Sequence, residues 1–398
     1  MNEERARAGA RARARAGEAQ AEFPGERVAG RVAESQAGSS AQPQADRAAE
    51  PRTELHTDRA AELQGGPSTQ AQTKPPAESH TVPPAEPPAQ PSGLAGPRAV
   101  DRLFAFYMLL SGLALVGPGR PGSWPAVALA HGLAAAAALR WWPLAPALAA
   151  AARRWPRVAV VVSDWYPLLL LPALYTELAL LNRALYSGTY FDGLVQRWEE
   201  ALFGGQPSRA LAAALPHLAL SEPLHAAYLS YYAIIYGPPL LLYFARRHSD
   251  YHELLFPLML TFFVSYLFFI YFPVQGPRYL FPPPGGGLEA GPVYRLAHRV
   301  LEAGSAQGAA FPSSHVAVAA MQTAMVARLL PRLMPLVAVL TLGLAAGAVY
   351  GGFHYATDVM AGFALAAVLA VTAPRVRAGL DGGRRAGATK RAGVSLSS

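Results

Sequence analysis

From Arg102 onward, long apolar runs alternate with short clusters of arginine, proline and glycine, whereas the first hundred residues show no such rhythm. The runs lie at 103–117, 124–139, 158–181, 224–244, 254–272, 314–330, 335–351 and 355–373. A helix of about 20 apolar residues crosses the hydrocarbon layer, so the pattern predicts an all-α, polytopic membrane helix bundle of about eight spans. The first two runs are short and read as a tilted or partly re-entrant hairpin. Residues 1–98 hold a single aromatic, Phe23, among arginine, alanine and proline. Such a segment buries too little apolar surface to offset chain entropy, and a disordered tail is expected. No apolar stretch follows its arginines, so a cleavable signal peptide is not expected. The organisation is therefore a tail at 1–98, a membrane domain at 99–374 and a basic tail at 375–398.

Charge orients the spans. Arg140, Arg153, Arg154 and Arg157 follow the second run, and Arg246 and Arg247 follow the fourth. Arg328 and Arg332 follow the sixth, while Arg375, Arg377, Arg384 and Arg385 follow the eighth. All fall on one side if both termini are cytoplasmic, as the positive-inside rule requires. The opposite, extracytoplasmic side then carries the long connections 182–223 and 273–313. The first contains an amphipathic surface helix, FDGLVQRWEEALFGGQPS; the second contains PPPGGG at 282–287.

Composition adds exclusions. The net charge is +8, but its basic residues sit in the tails and on one side of the spans, which argues against nucleic acid as a partner. There is no cysteine, so disulfides, thiol catalysis and cysteine-bound zinc are excluded. Lys74 and Lys390 are the only lysines beside abundant arginine, alanine, glycine and proline, as in a GC-rich bacterial genome. A bacterial cell membrane is the expected location.

Three polar clusters fall at the extracytoplasmic ends of the runs. Arg278, in VQGPRYLF, follows the fifth; His315, in FPSSHVAVA, opens the sixth; His354 and Asp358, in FHYATD, open the eighth. His315 and His354 are separated by one helix down and one back, at ~1.5 Å of rise per residue. Ionisable groups at membrane depth are costly and mark functional sites. Ser313 and Ser314 follow Pro312 as N-cap candidates, and a helix start binds phosphate through its N–H groups. Arg278 offers a planar guanidinium for bidentate phosphate contact. Asp358, one turn after His354, can hold one imidazole nitrogen so that the other attacks phosphorus, with His315 as general acid.

This arrangement resembles the type 2 phosphatidic acid phosphatase superfamily, whose pattern is K-x6-R-P, P-S-G-H and S-R-x5-H-x3-D. FPSSH matches the second element with Ser314 in place of glycine, and His354-x3-Asp358 matches the end of the third. The resemblance implies a six-helix phosphatase-like core, a phosphohistidine at His354 oriented by Asp358, and His315 as the acid. It also implies phosphate binding by Arg278, Ser313 and Ser314, a lipid phosphate or diphosphate substrate in the bilayer, and no cofactor or metal. Tyr271 stands where the lysine is expected, Tyr279 replaces the proline, and Gly347-Ala348 replaces Ser-Arg. This reduced form is closest to the inositol phosphotransferase branch, typified by inositol phosphorylceramide synthases. Water as acceptor would make a phosphatase, an alcohol such as inositol a phosphotransferase, and both remain open.

Other polar residues read as structural. Asp164, Glu177 and Arg183 suit hydrogen bonding between helices, His131 suits a satisfied membrane histidine, and Glu222 with His225 suits a helix cap. Tyr228, Tyr231 and Tyr232 read as an interfacial aromatic belt. A transporter or structural protein with an inactive pocket is the non-enzymatic alternative. It would show a repeat and polar groups near mid-membrane, and neither is visible.

Overall fold

The computed structural model describes residues 97–140, 145–283 and 287–394. The expected disordered tail therefore lies outside the described residues, apart from its last two positions. The described chain is all-α: α1 Ala99–Gly112, α2 Trp124–Ala138, α3 Ala145–Arg154, α4 Pro156–Tyr186, α5 Asp192–Phe203, α6 Pro207–Ala214 and α7 Leu218–Leu229 come first. α8 Tyr231–Phe244, α9 His248–Tyr271, α10 Pro277–Leu280, α11 Pro292–Gly304, α12 Ser314–Leu329, α13 Met334–Tyr350 and α14 Ala356–Val394 follow.

Among the described residues, five helical stretches are long and apolar enough to cross a bilayer: Ala99–Val116, Pro156–Tyr186, His248–Tyr271, Pro331–Tyr350 and Ala356–Gly382. The chain is an integral membrane protein, with fewer full-length spans than the eight expected. α2 has 15 residues and α12 has 16, and the latter stops at Leu329, just before Pro331. The expected span 224–244 is divided at Ser230 between α7 and α8. α9 is the most enclosed of the long helices, and its residues Leu254–Phe263 are buried throughout. Apolar residues exposed at helical spacing mark the lipid-facing sides, as with Leu336, Val339 and Leu342 on α13 and Val368 and Val371 on α14.

α8 tolerates two prolines through one partner. Pro238 and Pro239 have no N–H to offer the carbonyls of Ile234 and Ile235, four residues earlier. The buried amide of Gln322 on α12 donates to both, at 3.1 and 3.0 Å. At the end of the bundle near Arg98, buried charges are paired: Arg98 holds Asp101 at 3.1 Å and Asp164 at 3.0 Å, and Arg140 reaches Asp101 at 3.0 Å. His131 bonds Met108 O at 3.0 Å and Glu177 at 2.8 Å. Asp164, Glu177 and His131 are thus spent on holding helices together, and Arg183 on Gln307 Oε1 at 2.7 Å.

Candidate active site

The starts of α12 and α14 meet. Ser313 caps α12, its Oγ accepting the Val316 N–H at 3.4 Å, while its own N–H donates to Asp358 O at 3.0 Å. Gly362 permits this approach, since a Cβ there would stand 2.7 Å from Ser313 O. Ser313 and Ser314 are both buried, and the N–H groups of Ser314 and His315 have no acceptor within the helix. The FHYATD segment reaches the same point through a tight turn. Gly352 sits at φ +69°, and the amides of Phe353 and His354 both donate to Ala348 O at 3.0 Å.

These two helix starts bring the rings of His315 and His354 to a centroid separation of 5.5 Å. His354 is buried, and its Nδ1 lies 3.1 Å from Ala310 O and 3.4 Å from Asp358 Oδ2. Nδ1 therefore carries the proton in the neutral ring and donates it to the Ala310 carbonyl, with the carboxylate alongside. Nε2 is left as the lone-pair nitrogen. Asp358 is itself held, with Oδ2 accepting the Tyr355 N–H at 2.9 Å. His315 packs between Tyr231, at 4.2 Å, and Tyr228, at 5.1 Å, and its Nε2 faces the Tyr228 hydroxyl at 3.3 Å. Tyr228 and Tyr231 are buried and only Tyr232 is exposed, so the expected aromatic belt is in large part the wall around His315.

Arg278 enters on α10. Ahead of it, a single parallel bridge joins Val274 to Ala309, with Ala310 N donating to Val274 O at 2.9 Å. That bridge positions the Ala310 carbonyl used by His354. The guanidinium donates to Ser305 Oγ at 3.2 Å and lies over Tyr279 at 5.0 Å. It borders a cavity of ≈ 520 Å³ whose wall also includes Ser208, Arg209, His298, Glu302 and Gly351. Neither His315 nor His354 lines that cavity, and buried Phe353 packs between Tyr228 at 4.5 Å and His298 at 5.3 Å. The imidazole pair and the Arg278 cavity are thus neighbouring compartments.

α5 is the amphipathic helix expected from the sequence, and its inner face braces both loops. Asp192 accepts the N–H groups of Gln275 and Gly276 at 2.9 Å each and the Tyr355 hydroxyl at 3.2 Å. Two turns on, buried Glu199 accepts the Thr357 N–H at 2.8 Å. Burial holds the Glu199 carboxyl above its ordinary range, only partly offset by the Thr357 amide. Asp192, Val195 and Glu199 are the buried positions of this helix, a three-then-four spacing that sequence inspection alone can flag. The Ala310 carbonyl, being backbone, leaves no such trace.

Residues 194–372, from α5 into α14, hold His315, His354, Asp358 and Arg278 within one stretch. That stretch matches the family model of the PAP2 superfamily. The PAP2 match supports phosphatase-type chemistry on phosphoric esters, in a chain with membrane-spanning helices. Comparison with curated proteins and with solved structures gave no match. Two positions where the chain departs from the PAP2 pattern have structural occupations. The Tyr271 hydroxyl donates to Leu110 O at 2.6 Å, and Gly347 packs so closely on α7 that a Cβ would stand 2.3 Å from Leu224 O. Glu222 of α7 caps α11, accepting from Val293 and Tyr294 at 2.9 and 3.0 Å. Among the described residues no cluster of three or more acidic or histidine side chains could hold a metal.

Proposed function

We propose that this chain is a membrane-embedded enzyme that transfers the phosphoryl group of a lipid phosphate or diphosphate through a phosphohistidine at the extracytoplasmic face. One observation carries the reading: His354 is held by its Nδ1 against Ala310 O and Asp358, with a second imidazole 5.5 Å away. Nε2 of His354 attacks phosphorus, forming the N–P bond as the bond to the leaving oxygen breaks. His315, which takes up a proton as the phosphate anion settles beside it, delivers that proton to the leaving oxygen. Water or an alcohol then attacks the phosphohistidine, losing its proton to His315 while the N–P bond breaks. Asp358 stabilises the charge that develops on the His354 ring, following the orienter logic of nucleophile–base pairs. Ser313, Ser314 and the first-turn N–H groups of α12 help to hold the phosphoryl oxygens, with Arg278 drawing the anion toward the site.

The test is purification in detergent and incubation with phosphatidic acid, a polyprenyl diphosphate and a phosphoinositol lipid, each with and without inositol. Phosphate release without added alcohol identifies a phosphatase, and inositol-dependent product identifies a phosphotransferase. The His354→Ala variant should lose turnover and the acid-labile phosphoenzyme together. Wild-type rates in that variant would end the proposal.

A further inference from the structure

His315 sits between two tyrosines three residues apart, Tyr228 near the end of α7 and Tyr231 at the start of α8. The helices divide at Ser230, yet both buried rings meet the imidazole, as neighbours at this helical spacing can. Tyr231 lies tilted at 4.2 Å and Tyr228 is stacked at 5.1 Å. Among the described residues, the Tyr228 hydroxyl, 3.3 Å from Nε2, is the one side-chain group that hydrogen-bonds the His315 ring, and Nδ1 has no partner.

Close packing delivers that hydroxyl. At Gly347 of α13, a Cβ would stand 2.3 Å from Leu224 O and 3.5 Å from the Tyr228 Cβ. A side chain at 347 would therefore push away the helix that carries Tyr228. Gly347 stands where the PAP2 pattern has serine, so this departure and the Tyr228 contact belong to one local structure. Phe353, the residue before His354, packs on the Tyr228 ring at 4.5 Å. Tyr228 thus touches both the acid imidazole and the neighbour of the nucleophile.

A general acid passes through two protonation states in each turnover, and when buried it must find partners for both within the protein. A carboxylate beside it would favour the charged ring throughout, and an apolar side chain would leave Nε2 unpaired. A phenol hydroxyl both donates and accepts, so it pairs with Nε2 whether or not that nitrogen bears hydrogen. The flanking ring faces add attraction for the charged form, as aromatic faces do for cations.

We propose that Tyr228 is a positioning residue of the phosphoryl transfer. Its hydroxyl holds His315 toward His354 and keeps the acid imidazole hydrogen-bonded before and after it gives up a proton. The phenol keeps its own hydrogen throughout, and the proton that reaches the leaving oxygen comes from His315. The inference rests on the phosphoryl-transfer reading and deepens it.

Tyr228→Phe keeps the ring and its stacking and removes only the hydroxyl. Two esters are compared in detergent, a long-chain alkyl phosphate and a nitrophenyl phosphate carrying the same alkyl chain. The alkoxide needs a proton to leave and the nitrophenolate does not, while kcat/KM covers the steps through loss of the leaving group. In Tyr228→Phe, kcat/KM for the alkyl phosphate should fall about 10- to 100-fold, the worth of one hydrogen bond to a charged group, and that for the nitrophenyl ester less than about threefold. An equal fall for both esters would make Tyr228 a packing residue, and no fall would make its hydroxyl idle; either result overturns the proposal. His354→Ala should lose turnover of both esters alike. Turnover surviving in that variant, or a wild-type protein that cleaves neither ester, would overturn the phosphoryl-transfer reading itself, so the two failures are told apart.

Discussion

The Tyr355 hydroxyl donates to Asp192 Oδ1 at 3.2 Å, joining residues 163 apart in the chain. The same carboxylate takes the backbone N–H groups of Gln275 and Gly276, so one side chain ties the loop before Arg278 to the residue after His354. Asp192→Ala removes all three bonds and frees both loops. A shift of about 1 Å in a reacting group can cost roughly 100-fold in rate. Steady-state assays should show kcat/KM down by about that factor, while circular dichroism shows unchanged helix content. An unaltered rate would mean that α5 is scaffolding only.

Asp358→Asn and His354→Ala should differ in degree. The Ala310 carbonyl, at 3.1 Å, is the nearer acceptor for His354 Nδ1, and Asp358 lies at 3.4 Å. In the asparagine variant the carbonyl still fixes the tautomer, so what is lost is stabilisation of the charged ring. Turnover should fall by about 10²–10⁴, the usual range for one acid–base or orienting group, with some phosphoenzyme still forming. The alanine variant has no nucleophile and should form none. Quenched-flow trapping with ³²P-labelled substrate compares the two.

Much of this was legible in the sequence for a simple physical reason. Apolar run lengths carry the vertical position of a residue, so His315 and His354 could be placed at one level. FDGLVQRWEEALFGGQPS read as an amphipathic surface helix, and α5 lies within it. Run length also placed the ends of α2 and α12 within one residue of the expected 124–139 and 314–330, but it gave no sign of the division of 224–244 at Ser230. Lateral neighbours are hidden as well. Tyr228 and Tyr231 looked like interface residues because tyrosine favours that level, and only packing shows them around His315. Arg278 was expected beside the imidazoles, whereas its hydrogen bond runs to Ser305, at the edge of the cavity. Backbone acceptors such as Ala310 O have no residue type to betray them.

Gln322 offers a stability test away from the site. Its amide is the donor for two carbonyls that Pro238 and Pro239 leave open. Gln322→Leu keeps the volume close but strands both carbonyls in a water-poor interior, where each unsatisfied group costs about 1–3 kcal/mol. The purified variant should melt several degrees below the wild type in detergent. Replacing Pro238 and Pro239 with alanine in the Gln322→Leu background restores the intrahelical donors and should recover much of the loss.

Glu199 makes stability depend on pH in a direction opposite to that of most carboxylates. Its carboxyl is buried, and its folded pKa is raised above the ordinary value of 4.5. The folded state therefore holds the proton in a pH window where the unfolded chain has already lost it. Stability from this group is fully present below the ordinary value and is lost as pH rises through the folded one. A glutamine at 199 keeps an oxygen for the Thr357 N–H and has no proton to lose. The melting temperature of Glu199→Gln should thus gain on the wild type as pH rises from about 4 toward neutrality, and the two should converge at the acid end. A difference that grows toward acid pH would show that the folded protein prefers the ionised carboxylate, and would reverse the assignment of burial as the dominant influence.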